Sequence, residues 1–185
     1  GGALPDGAIV GGRGDHYFLH PETKDGDDFK SFVEAFREKT GDYPIYPAFH
    51  MAQAFAALEG AYTKAIELNP ENSLALFNRA RTNYYLGNLE SALTDYSAVI
   101  QLTPEDAEAF NNRGLIYDAL KDYESAVADF DSALELRPLF AEAHSNRGAV
   151  LEIVGDLDGA QVEYNHSLES DPELASAHYN AARLY

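Results

Sequence analysis

The sequence predicts an all-α chain, a stack of helical hairpins preceded by a partly irregular N-terminal extension. Three observations predict it. Pro70, Pro104, Pro138 and Pro172 stand 34 residues apart, each able to end a helix because it lacks an amide proton and restricts the residue before it. Other residues keep the same step: Asn78, Asn112, Asn146 and Asn180; Arg79, Arg113 and Arg147; Ala92, Ala126 and Ala160; Tyr96, Phe130 and Tyr164. Within each unit, apolar and small residues recur every three or four positions on either side of a short break, as in "FNNRGLIYDALKDYESAVADFDSALELRP".

The units follow from the spacing. Three full repeats are expected at 73–106, 107–140 and 141–174, after a half repeat at 51–70 and before a terminal helix at 175–185. Gly87 and Gly155 suit helix ends that need positive φ, and Lys121 takes that place in the middle unit. Small residues at Ala80, Gly114 and Gly148 let the two helices of a hairpin approach, and the aromatic residues fill the gap toward the next unit. Such a hairpin cannot bury its apolar face alone and must stack on another. The terminal helix either caps the stack or belongs to a longer array, and its exposed face offers a route to self-association.

This pattern resembles the tetratricopeptide repeat over about residues 51–185. In the middle unit the family positions are filled by Phe110, Arg113, Gly114, Tyr117, Ala126, Phe130, Ala133 and Pro138. The flanking units run from Leu76 to Pro104 and from His144 to Pro172 in the same register. The resemblance implies a right-handed superhelix whose first helices line a concave face. Arginine replaces the family's usual leucine three times, and an acid follows each arginine by 16 residues: Asp95, Asp129 and Glu163. Arg79–Asp95, Arg113–Asp129 and Arg147–Glu163 are therefore expected as pairs within each repeat, with the asparagines bonding to neighbouring loop backbone.

Residues 1–50 form the extension. "DDFKSFVEAFREKTG" reads as an amphipathic helix, with Phe29, Phe32, Val33 and Phe36 on one side, Asp27 or Asp28 at its start and Gly41 at its end. It is a candidate cap for the first repeat. "GAIVGG" and "HYFLH" read as short strands, while two prolines and a glycine in "KTGDYPIYPAFH" argue against a regular helix there. Residues 27–65 also resemble the C-terminal part of periplasmic solute-binding proteins of the branched-chain amino-acid type. That likeness favours an exported, bacterial origin over a cytoplasmic one. It implies at most a relic, because 70 residues cannot supply the two lobes of a solute cleft. A pocket between "HYFLH" and the long helix, closed by "DYPIYP", would mark retained small-molecule binding.

Composition narrows the partners. The net charge is −18, with 13 Lys+Arg against 31 Asp+Glu, so phosphate backbones and anionic lipid are repelled and nucleic acid is a poor partner. Cysteine is absent, excluding disulfides and thiolate chemistry. No run is apolar enough to span a bilayer.

No catalytic residue, cofactor site or metal site is assigned. His16 and His20, with Asp15 and Glu22, lie in a glycine- and proline-rich segment and read as surface residues. His144 and His178, one repeat apart, occupy a packing slot, His166 looks solvent-facing, and His50 sits near a helix start. The tripeptide Arg13-Gly14-Asp15 is too short to carry an integrin-type reading. Paired acids such as Asp27 and Asp28 lack the contrasting environments that acid–base catalysis needs.

What remains is recognition by shape. The candidate peptide groove comprises Phe77, Arg81, Tyr84 and Tyr85; Asn111, Leu115, Asp118 and Ala119; and Ser145, Ala149, Glu152 and Ile153. Its aromatic and apolar groups, with acids around them, suit a protein or peptide segment of basic character. Some tetratricopeptide proteins clamp a C-terminal carboxylate with lysines and asparagines. Here Arg81 is the single base and no lysine is present, which argues against that mode.

Overall fold

The computed structural model describes residues 8–10, 16–18 and 46–183, with side chains from residue 53. The chain divides into two compact units, Gly1–Ala57 and Leu58–Tyr185. In the first, β1 (Ala8–Val10) and β2 (His16–Phe18) pair antiparallel with Ile9 opposite Tyr17, in the two segments expected to be extended. The expected helix at residues 27–41 lies outside the described residues, as do Arg13, Asp15, His20, Glu22 and the "DYPI" part of the proposed pocket closure.

Among the described residues, eight helices follow. α1 (Tyr46–Leu68) begins five residues before the expected half repeat. The expectation that "YPAFH" would not be regular helix is thus corrected. Pro47 falls in the first turn, where no intrahelical bond needs its missing N–H and its fixed φ suits the helix.

The repeats are α2 (Ser73–Leu86) with α3 (Leu89–Leu102), α4 (Ala107–Ala119) with α5 (Tyr123–Leu136), and α6 (Ala141–Val154) with α7 (Leu157–Ser170); α8 (Ala175–Arg183) follows. First helices begin at Ser73, Ala107, Ala141 and Ala175, and α1, α3, α5 and α7 end two residues before their prolines. N-termini are closed by side chains: Asn72, Asp106, Asp122 and Asp156 each accept a backbone N–H from the first turn. Gly87 (φ 80°), Lys121 (φ 63°) and Gly155 (φ 92°) make the left-handed turn between paired helices.

Close packing sets the hairpin. Ala80, Ala92, Ala126, Ala160, Phe130 and Tyr164 are fully buried. At Gly114 a Cβ would meet the Phe130 ring at 2.7 Å, and at Gly148 the Tyr164 ring at 2.6 Å. The smallest residue is required where an aromatic ring crosses the helix backbone. Each second helix packs on the next first helix, and first helices also touch their counterparts, α2 with α4, α4 with α6 and α6 with α8. That approach along one side is the arrangement of a concave face lined by first helices.

Candidate functional site

The arginines organise the stack from inside. Arg79 donates from Nε and Nη2 to the two carboxylate oxygens of Asp95 at 2.8 and 2.7 Å, and Arg113 does the same to Asp129 at 2.7 and 2.7 Å. Each also reaches back one unit, Arg79 Nη1 to Thr63 Oγ1 (3.2 Å) and Arg113 Nη1 to Ser97 Oγ (3.3 Å). Arg113 further lies over the rings of Phe110 and Tyr117. The guanidinium therefore ties its own hairpin to the one before it. Hydrogen bonding to the paired carboxylate raises both arginines above their already high pKa, against burial.

The third unit is wired differently. Arg147 Nη1 reaches Glu163 Oε1 at 3.2 Å, while its Nε lies 2.9 Å from Asp131, an ion pair whose N–H is not aimed for a hydrogen bond. Glu163 Oε2 instead lies 2.8 Å from His144 Nδ1, and His144 Nε2 lies 3.0 Å from the Pro138 carbonyl oxygen. The Glu163 hydrogen bond holds His144 above the usual histidine range. Burial pushes Glu163 up, but the His144 hydrogen bond and the Arg147 charge outweigh it and hold the carboxyl low.

The asparagines do not bond to loop backbone across units. Asn146 donates to Asn111 Oδ1 at 2.9 Å and Asn180 to Ser145 Oγ at 3.4 Å, each linking consecutive first helices, while Asn78 donates to Leu74 O within its own helix. This corrects the sequence expectation. A 35-residue offset places the partners on adjacent helices of the same face.

Against this frame the groove residues separate into two groups. Asn111 and Ser145 are buried at 5% and 2% exposure with their polar atoms engaged in these cross-links. Phe77 packs edge-on against Tyr96, with ring centroids 5.3 Å apart, and Leu115 packs against the core formed by Ala126, Phe130 and Val150. Glu152 accepts from Tyr164 OH at 3.0 Å and from Arg183 at 2.8 Å, and the Arg183 bond lowers its carboxyl pKa.

The more open group is Arg81, Tyr84, Tyr85, Asp118, Ala119, Ala149 and Ile153. Arg81 is exposed and donates to Asn78 Oδ1 at 3.0 Å. Tyr85 is 62% exposed, its ring edge-on to Tyr84 at 5.8 Å. Burial, then the nearby Asp118 charge, pushes the Tyr84 phenol up. Asp118 is half-buried, and burial raises its carboxyl above the ordinary aspartate value. Among the described residues no hydrogen-bond donor or cation compensates its side chain.

Comparison with known proteins places the fold. The tetratricopeptide repeat family model (TPR_16) matches residues 55–107, 77–139 and 119–165. Among solved structures, MamA is 21% identical with a TM-score of 0.66, covering 78% of this chain and 84% of that one. The first TPR of Spaghetti (RPAP3), bound to the HSP90 peptide SRMEEVD, is 24% identical with a TM-score of 0.58, covering 60% of this chain and 89% of that one. The second TPR domain of human RPAP3, in complex with the HSP70 peptide SGPTIEEVD, is 22% identical with a TM-score of 0.57, covering 60% and 93%. No curated protein matches. The comparisons give no support to the solute-binding resemblance of residues 27–65, and the family match begins at residue 55. The 34-residue step, the helix pairs and the family match over more than half the chain agree: this chain belongs to the tetratricopeptide repeat family.

Proposed function

We propose that this protein is a non-catalytic interaction scaffold that holds a peptide segment of a partner protein along α2, α4 and α6, seating a basic side chain against Asp118. The observation that carries the reading is the half-buried Asp118 carboxylate, which no donor or cation among the described residues compensates, lying near enough to Tyr84 for its charge to push that phenol up. A desolvated anion next to aromatic faces is a receptor for lysine or arginine, whose charge meets the carboxylate while its methylenes lie on the rings. The RPAP3 domains are bound to peptides ending in EEVD. Here the first helices of the full repeats carry no lysine and Arg81 is the exposed base, so the charge preference is the reverse of that acidic tail.

The test is fluorescence anisotropy with matched basic, neutral and acidic peptides, against the native chain and Asp118→Asn. Basic peptides bind tightest, their affinity falls with salt, and D118N removes most of the basic preference. Equal affinity across the three charge classes refutes the reading.

A further inference from the structure

Three positions of the third repeat depart together from the two repeats before it, and one of them, the His144 slot, holds histidine again at His178. Where the first two repeats have Leu76 and Phe110, the third has His144. Where they have Asp95 and Asp129, it has Glu163, and where they have Ala98 and Ser132, it has His166. The fold brings these three substituted positions together. One ligand atom from each lies within 4.8 Å of the others, and the two imidazole rings are 5.3 Å apart. Glu163 and His166 stand three residues apart on α7, so they project from one face, and His144 meets them from α6.

The hydrogen bonding fixes which atoms are available. The Pro138 carbonyl can only accept, so His144 Nε2 carries a hydrogen and donates to it at 3.0 Å. Nδ1 is left facing Glu163 Oε2 at 2.8 Å, with both residues buried. Two electron-rich atoms this close require a cation between them, either a proton or a metal ion. The surroundings match those of a ligand set. A carbonyl orients the imidazole, Arg147 Nη1 holds the other Glu163 oxygen at 3.2 Å, and Asp131 lies 2.9 Å from Arg147 Nε. A cavity of about 230 Å³ lined by Pro138, Leu139, Glu169 and Ser170 opens beside both histidines.

We propose that His144 Nδ1, Glu163 Oε2 and the His166 imidazole form a binding site for a divalent transition ion of the zinc type. Its fourth position opens to the cavity. Two imidazoles and a carboxylate are a donor set that such ions take, and ligand atoms about 2.0–2.1 Å from the ion stand roughly 3.3 Å apart in a tetrahedron. Nδ1 and Oε2 therefore separate by about half an ångström on loading, and exposed His166 turns inward to complete the set. The Asp131, Glu163 and Glu169 charges, against Arg147, favour a dication here. Bound metal clips α6 to α7 and, through Pro138, to the end of the second repeat.

The test is calorimetric titration of Zn²⁺ into the chelator-treated full chain carrying His16→Ala and His20→Ala, which removes the other neighbouring histidine pair. Two further variants are added singly, His166→Ala at an exposed position and His144→Phe, which places the middle repeat's own Phe110 residue in the slot. The proposal expects one Zn²⁺ per chain and a rise in melting midpoint on loading. Each further variant weakens binding by roughly 100-fold or more, since loss even of a ligand's supporting partner costs up to that much. The midpoint rise is lost in H166A while its helical circular dichroism is unchanged. Absence of Zn²⁺ binding would show that a proton alone bridges His144 and Glu163. Binding unaffected by both variants would place the ion elsewhere. Either result overturns the proposal.

Discussion

Removing one carboxylate from inside the stack tests the arginine architecture. Asp129→Ala takes away two charge-assisted bonds, both 2.7 Å, from Arg113. The Asp129 side chain is 7% exposed and that of Arg113 19%. Breaking a fully buried pair costs about 3–5 kcal/mol, mostly for the charge left without a partner. Arg113 keeps some hydration, the Ser97 hydroxyl at 3.3 Å and the Phe110 and Tyr117 rings. These reduce the expected loss to about 2–3 kcal/mol. The internal comparison is Arg137–Glu108, 3.4 Å apart with side chains 47% and 55% exposed, where Glu108→Ala costs less than about 1 kcal/mol. Urea melts followed by circular dichroism and by tyrosine fluorescence measure both, reading the midpoint at unchanged slope. The double variant Arg113→Met with Asp129→Leu recovers most of the loss, because the cost lies in the orphaned charge. A D129A cost no greater than that of E108A, or a double variant less stable than D129A, would show that the buried arginine does not depend on its carboxylate.

Further outcomes follow from the same contacts. Gly114→Ala destabilises by about 1–2 kcal/mol despite the better helix propensity of alanine, because its Cβ meets Phe130 at 2.7 Å. Gly60→Ala, on α1 with nothing within 4 Å of the new Cβ, stabilises by about 0.5–1 kcal/mol in the same melts. Lys121→Gly stabilises by about 0.5–1 kcal/mol, since φ is 63° at Lys121 and glycine already fills the equivalent turns at Gly87 and Gly155. Asp118→Asn raises the urea midpoint at pH 7 while weakening basic peptides. The folded carboxyl is shifted up by burial, so its ionisation opposes folding. Stability linked to this group is full below the unfolded-state pKa and is lost as pH rises through the folded value. The midpoint advantage of D118N therefore vanishes in acid, which paired melts across the acidic range measure.

Much of this architecture was legible because a 34-residue step constrains many positions at once. The pairing of each arginine with the acid 16 residues on could be read from spacing alone. The backward contacts to Thr63 and Ser97, with Asp131 at the matching place, stand at the mirror offset of 16 residues and share the step, but three different residue types fill it, so spacing alone does not flag them. Phe77 and Asn111 show the limit of assigning a groove by position. A residue on the expected face packs edge-on against Tyr96 in one unit and bonds to the next helix in another. Periodicity gives the face, whereas exposure depends on the neighbouring side chains. The His144, Glu163 and His166 cluster was missed for the opposite reason. Each residue is ordinary in its own slot, and only the simultaneous departure of three slots from the two preceding repeats marks the cluster.

The most direct test of the interaction reading is amide chemical-shift mapping of the full chain titrated with a lysine-containing peptide. Saturable shifts are expected on α2, α4 and α6 around Arg81, Tyr84, Tyr85 and Asp118, and none on the outer faces of α3, α5 and α7. Shifts confined to those second helices, or no saturable shift with peptides of any charge, would contradict it.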